Sequence, residues 1–138
     1  MSKNHFLCPH CNGHLKIGEY IVLAARNSRK ERGLVLLHPE IGNYTSIKHP
    51  KFEYKIGDSI DFYCPLCQHE LHSDFDENLV YVNMIDANGK ESDIYFSRIA
   101  GEKSTFQVSG ETVMETGEHS ARYTYFKMSH KFKRFLKK

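Results

Sequence analysis

The four cysteines of this chain fall in two copies of one frame, Cys8-Pro9-His10-Cys11 and Cys64-Pro65-Leu66-Cys67, and no cysteine stands elsewhere. Two residues between thiols let the backbone turn tightly enough for both sulfurs to face one ion, and two such pairs read as a single tetrahedral site with four cysteine ligands. Proline in the second position presets φ near −65°, which suits the turn. Backbone N–H groups in such a turn can point at the sulfurs and spread their charge. The predicted ligands are therefore Cys8, Cys11, Cys64 and Cys67, holding one structural zinc ion. Iron is the alternative, since thiolate sites accept either metal. A redox pair would need one C-x-x-C opening a helix in a βαβ context, whereas both pairs here are flanked by strand-like residues.

These two knuckles resemble those of the zinc-ribbon superfamily, with the resemblance covering roughly residues 6–72. It implies two knuckles carried on β-hairpins, with the metal acting as a structural or docking element. Rubredoxin-like iron sites have Gly directly after each knuckle, where this chain has Asn12 and Gln68. Fifty-two residues separate Cys11 from Cys64, so the stretch between must hold extra strands or an inserted hairpin. Phe6 and Phe62 each stand two positions before a knuckle, and we expect both to pack near the metal.

The rest of the chain reads as β-structure. Residues 20–25 are rich in β-formers and residues 34–37 form a second short strand, with the basic turn 26–33 between them. Residues 38–50 contain Pro, Gly and Asn and are expected to be loop. Residues 79–126 read as a meander: a strand at 79–85, a tight turn at Asn88-Gly89, a return at 94–99, then short strands punctuated by Gly101, Gly110 and Gly117. Met128, Phe132, Phe135 and Leu136 lie on one face of a helical period among lysines, so the tail predicts a short basic helix. The expected fold is mainly β. A zinc-ribbon-like unit with an inserted hairpin spans 1–75. A meander, either separate from that unit or continuous with it, spans 76–126, and an amphipathic tail spans 127–138.

Charge is segmented. Residues 1–57 carry nine basic and four acidic side chains, net +5; residues 58–118 carry three and thirteen, net −10; residues 119–138 carry seven and none, net +7. This excludes a uniformly basic nucleic-acid coat and leaves two basic stretches. The candidate partner-binding residues are Arg26, Arg29, Lys30 and Arg32 in the first, and Lys131, Lys133, Arg134, Lys137 and Lys138 in the second. RNA, DNA or a nucleoprotein complex is the first expected partner, with Tyr123, Tyr125 and Phe126 available to stack on bases. A protein partner bound by the acidic sheet or the tail is the second.

Catalytic signals are weak. His69-Glu70-Leu71-His72 spaces its histidines three apart rather than the four of H-E-x-x-H, so Leu71 is expected to pack and both histidines to face solvent. No nucleophile elbow, phosphate loop or dinucleotide fingerprint occurs. A zinc ion with four cysteine ligands has no open position for hydrolysis, so binding without catalysis is the expectation. The longest purely apolar run is residues 21–25, far short of the 18–20 that a membrane span needs. No apolar stretch precedes Phe6, so no secretory leader is expected, and we read the chain as cytoplasmic.

Overall fold

Strict alternation builds the strands. In Tyr20–Arg26, Ile21, Leu23 and Ala25 are buried while their neighbours stay partly exposed, the period of two that a half-buried strand imposes. A computed structural model of the chain describes residues 4–73, 76–109 and 112–118. Its strands, in chain order, are β1 (His5–Leu7), β2 (Lys16–Ile17), β3 (Tyr20–Arg26), β4 (Arg32–Leu37), β5 (Ser46–Lys48), β6 (Asp61–Tyr63), β7 (Leu79–Ile85), β8 (Glu91–Ser97), β9 (Thr105–Ser109) and β10 (Thr112–Thr116). They form two antiparallel sheets, one ordered β1-β7-β8-β9-β10 and the other β2-β3-β4-β5, with β6 also paired to β3. By register, β2 and β6 share one edge of β3, at its two ends.

The main core lies between the sheets. Phe6, Leu15, Ile21, Leu23, Leu71, Val80, Val82, Met84 and Ile94 join Cys8 and Cys64 in it, and Phe62 packs against it. The expected positions of Phe6, Phe62 and Leu71 are therefore observed. A second cluster, Leu79, Tyr95, Phe106 and Val108, occupies the opposite face of the meander sheet. A third, Ala25, Val35, Phe52 and Ile60, sits under the inserted hairpin.

Three findings refine the sequence reading. The segment expected to be loop at 38–50 contains β5, whose Ile47 pairs with Leu36; a three-residue edge strand carries too little periodicity to stand out beside Pro39 and Pro50. The Asn88-Gly89 signal makes a three-residue connection rather than a two-residue one. Asp86 N donates to Lys90 O and Gly89 N to Asp86 O, with Gly89 at φ 81°, the arrangement of a type I turn followed by a left-handed residue. The β3–β4 connection repeats it, with Asn27 N donating to Glu31 O and Lys30 at φ 68° taking the glycine's place. The predicted strand at 122–126, Gly110 and the basic helix at 127–138 lie outside the described residues. Among the described residues there is no helix, so none is long and apolar enough to cross a membrane.

The topology positions the cysteines. β1 is the edge strand of the meander sheet, and the first knuckle carries the chain from it to β2 of the other sheet. The second knuckle carries the chain back, from β6 to β7. Among the described residues, both crossings between the sheets thus run through a C-P-x-C turn.

Candidate metal centre

Each knuckle is the tip of a small hairpin, and the two match residue for residue at an offset of 56. Cys8 N donates to Gly13 O at 3.0 Å and Asn12 N to Cys8 O at 2.9 Å; Cys64 N donates to His69 O at 3.0 Å and Gln68 N to Cys64 O at 2.9 Å. Bridges Leu7–His14 and Tyr63–Glu70 close the two hairpins. Asn12 at φ 59° and Gln68 at φ 66° adopt the left-handed conformation that ends each turn. These are the positions that carry Gly in rubredoxin-like knuckles. Asn adopts this conformation readily, and Gln68 offsets part of its cost by donating its Nε2 to Pro65 O at 3.2 Å.

The knuckles face one another reciprocally. Cys8 Sγ lies 3.8 Å from Cys67 Sγ, and Cys11 Sγ lies 3.8 Å from Cys64 Sγ. All four sulfurs lie within 4.8 Å of one another. The His10 and His69 rings stack with centroids 3.7 Å apart. At the equivalent place on the other side, the Leu66 side chain fills the space that a Cβ on Gly13 would need. The centre therefore has local two-fold character, with a histidine stack on one side and Leu66 over Gly13 on the other.

Four sulfurs around an ion at the Zn–S distance of about 2.3 Å form a tetrahedron with edges of about 3.8 Å. The Cys8–Cys67 and Cys11–Cys64 spacings match that edge and are far from the roughly 2.05 Å of a disulfide. The donor set fits a metal ion. Backbone N–H groups support the sulfurs as the turn chemistry predicts: His10 N points at Cys8 Sγ at 3.3 Å, Gly13 N at Cys11 Sγ at 3.4 Å, and Leu66 N and Cys67 N at Cys64 Sγ at 3.4 and 3.5 Å. Cys8 and Cys64 are buried and Cys11 and Cys67 exposed. Burial pushes the Cys8 thiol up to about 12 and raises Cys64 as well, while the backbone N–H of His69 lowers Cys67. Burial thus holds the inner pair as thiols at neutral pH, and a cation that compensates their desolvation favours the thiolates.

The first basic stretch is only partly free. Arg26 donates to Asp61 Oδ2 at 2.9 Å, and Arg98 pairs with the other oxygen of the same carboxylate. Arg29 is bridged to Glu31 and Glu53. Lys30 and Arg32 are exposed. The guanidinium groups of Arg26 and Arg32 stand 5.6 and 5.9 Å from the centroid of the Tyr63 ring. Tyr63 is absent from the sequence-level candidates; its position beside the two arginines depends on β6 pairing with β3, opposite Ala24, whose small side chain leaves room between them. His69 and His72 are exposed as expected. Lys131, Lys133, Arg134, Lys137 and Lys138, with Tyr123, Tyr125 and Phe126, lie outside the described residues.

Comparison of the chain with protein-family models, with curated proteins and with solved structures found no match in any of the three. The metal centre and the two sheets therefore carry the functional argument by themselves.

Proposed function

We propose that this chain is a zinc-binding interaction module, in which a structural zinc held by Cys8, Cys11, Cys64 and Cys67 fixes the two sheets and the protein acts by docking, without catalysis, on a nucleic acid or a nucleoprotein complex. The observation that carries the metal reading is the cluster of four sulfurs within 4.8 Å of one another, two of whose spacings are 3.8 Å. Four thiolates fill the coordination sphere, which favours a structural over a catalytic ion. Reduced, metal-ready thiols suit a cytoplasmic setting.

Nucleic-acid docking is supported by Tyr63 with Arg26 and Arg32 about its ring on the outer face of the second sheet, beside exposed Lys30. An aromatic face among guanidinium groups can stack a base and neutralise phosphate. The test is titration of the metal-loaded chain with labelled RNA and duplex DNA at two salt concentrations. We expect salt-sensitive binding, weakened by Arg32→Gln and Tyr63→Ala and by neutralising Lys131, Lys133 and Arg134. Salt-independent binding, or none, refutes this docking mode and moves the function to protein recognition through the acidic sheet.

A further inference from the structure

The second sheet alternates in exposure but not in polarity. On the face turned away from the main core, β3 presents Tyr20, Val22 and Ala24, and beside them β4 presents Leu34 and Leu36 and β5 presents Ile47. Ile17 of β2 and Tyr63 of β6 extend this face along its edge, at the two ends of β3. Among the described residues, none of these side chains joins a core cluster. Ile17 is 69% exposed, Leu34 53% and Ile47 45%. A sheet with one solvated face alternates apolar with polar residues, whereas strands apolar on both faces are those of a sheet covered on both. Strands β5, β4 and β3 with the β2–β6 edge, at the usual strand spacing and rise, give an apolar face of about 400 Å2. At that size an apolar patch on a monomer is often an interaction site.

The charges at the rim select the occupant. At the β3–β4 turn, Lys30 and Arg32 are exposed, and neither makes a salt bridge with a described residue. At the opposite end of the same strands, Glu19 and Glu40 are exposed, equally unbridged among the described residues, and border one hollow. Lys16, in that hollow, donates to Asn4 O. Sheets pack face to face about 10 Å apart with their strands nearly aligned. Two such faces laid together with strands antiparallel bring the cationic end of each onto the acidic end of the other; parallel strands would set like charges opposite. Because β2 and β6 share one edge of β3, the antiparallel arrangement also sets Ile17 of each copy against Tyr63 of the other. We propose that two copies of this chain pack the outer faces of their second sheets together, strands antiparallel about a two-fold axis in the interface, with the apolar rows at the centre and Lys30 and Arg32 against Glu19 and Glu40 at both ends. The paired faces cover about 800 Å2 in projection, short of the roughly 1,200–2,000 Å2 of a stable complex, so dimer and monomer exchange with concentration. The same packing covers Tyr63, so only the monomer offers the face proposed above to dock nucleic acid. That regulatory consequence rests on the docking reading; the dimer itself does not.

The test is sedimentation equilibrium of the full, metal-loaded chain under reducing conditions, from about 5 µM to about 1 mM, the range of a weak dimer. We expect the weight-average mass to rise from that of one chain towards that of two. Leu34→Glu, at an exposed position, should weaken association at least about tenfold, because it buries an unpaired charge. Arg32→Glu and Glu19→Lys should each weaken it about threefold, most at low salt. The double variant should restore it, a result that antiparallel packing gives and parallel packing does not. Circular dichroism and metal content should be unchanged in each variant. A chain that stays monomeric at every concentration overturns the proposal; amide shifts on this face that then appear only with added RNA, or proton–proton contacts there to residues 119–138, give the face to that occupant instead. Association indifferent to Leu34→Glu, or still weakened in the double variant, overturns it too. Failure of nucleic-acid docking is read separately, because the sedimentation sample contains no nucleic acid.

Discussion

Stripping the metal from the intact chain tests the central structural claim, because it alters no side chain. Among the described residues both crossings between the sheets pass through a knuckle, so a bound ion would close a loop that spans the inserted hairpin. Cys11 and Cys64 are 53 positions apart. Cross-linking a loop of that size removes about 14 cal/mol/K from the unfolded chain, or about 4 kcal/mol at 25 °C. With an unfolding entropy of about 2.1 cal/mol/K per residue, 138 residues give about 290 cal/mol/K, so 4 kcal/mol corresponds to about 14 °C in melting temperature. Metal–thiolate bonding adds to this, and strain in the closed loop subtracts from it. The assay is thermal unfolding under reducing conditions before and after a chelator, with metal content measured on the same samples. Hydrogen exchange should show where the loss falls: β1 has only three residues and lies at a sheet edge, so its protection should vanish first, while β7 and β8, paired along seven residues, keep theirs. A shift of less than about 3 °C, or a stoichiometry well below one ion per chain, would refute the reasoning.

Other consequences are open to direct measurement. Metal loading at pH 7 should release at least two protons per ion, because burial keeps the Cys8 and Cys64 thiols protonated in the metal-free fold; calorimetry in buffers of different ionisation enthalpy reads the number. The pH dependence should have opposite signs in the two forms. The metal-free fold loses stability as pH rises from about 9 towards 12, where the unfolded chain ionises and Cys8 does not, whereas the loaded fold loses stability in acid as protons displace the ion. Asp61→Asn should destabilise by about 2–3 kcal/mol, since Asp61 pairs with Arg26 and Arg98 at positions about a quarter exposed; a change below about 0.5 kcal/mol in urea unfolding would show the pair to be idle. Gly33→Ala should cost about 1–3 kcal/mol, because a Cβ there would meet the buried Phe52 ring at 2.8 Å; a neutral result would mean that Phe52 has room to move.

Much of the fold is legible in the chain because short-range rules write it. The knuckles follow from C-P-x-C, the strands Tyr20–Arg26 and Leu79–Ile85 from alternation and β-branched side chains, and the β7–β8 turn from Asn88-Gly89. β5 is not legible, because three edge residues between prolines have too short a period to register. Nor are the surroundings of the site: the His10–His69 stack, Leu66 over Gly13, and Tyr63 beside Arg26 and Arg32 all join residues from different hairpins.

The chain alone specifies the donor set, because thiols with two residues between them can face one ion and no cysteine is left over. It determined the β character for a similar reason, since side-chain alternation is a local property of the strand. It took the three-dimensional fold to make each knuckle a crossing between the two sheets, where a bound ion would fasten them, and to set Tyr63 beside Arg26 and Arg32. These are facts of pairing and burial between segments far apart in the chain, set by which hydrophobic faces meet, and local periodicity carries no information about that choice.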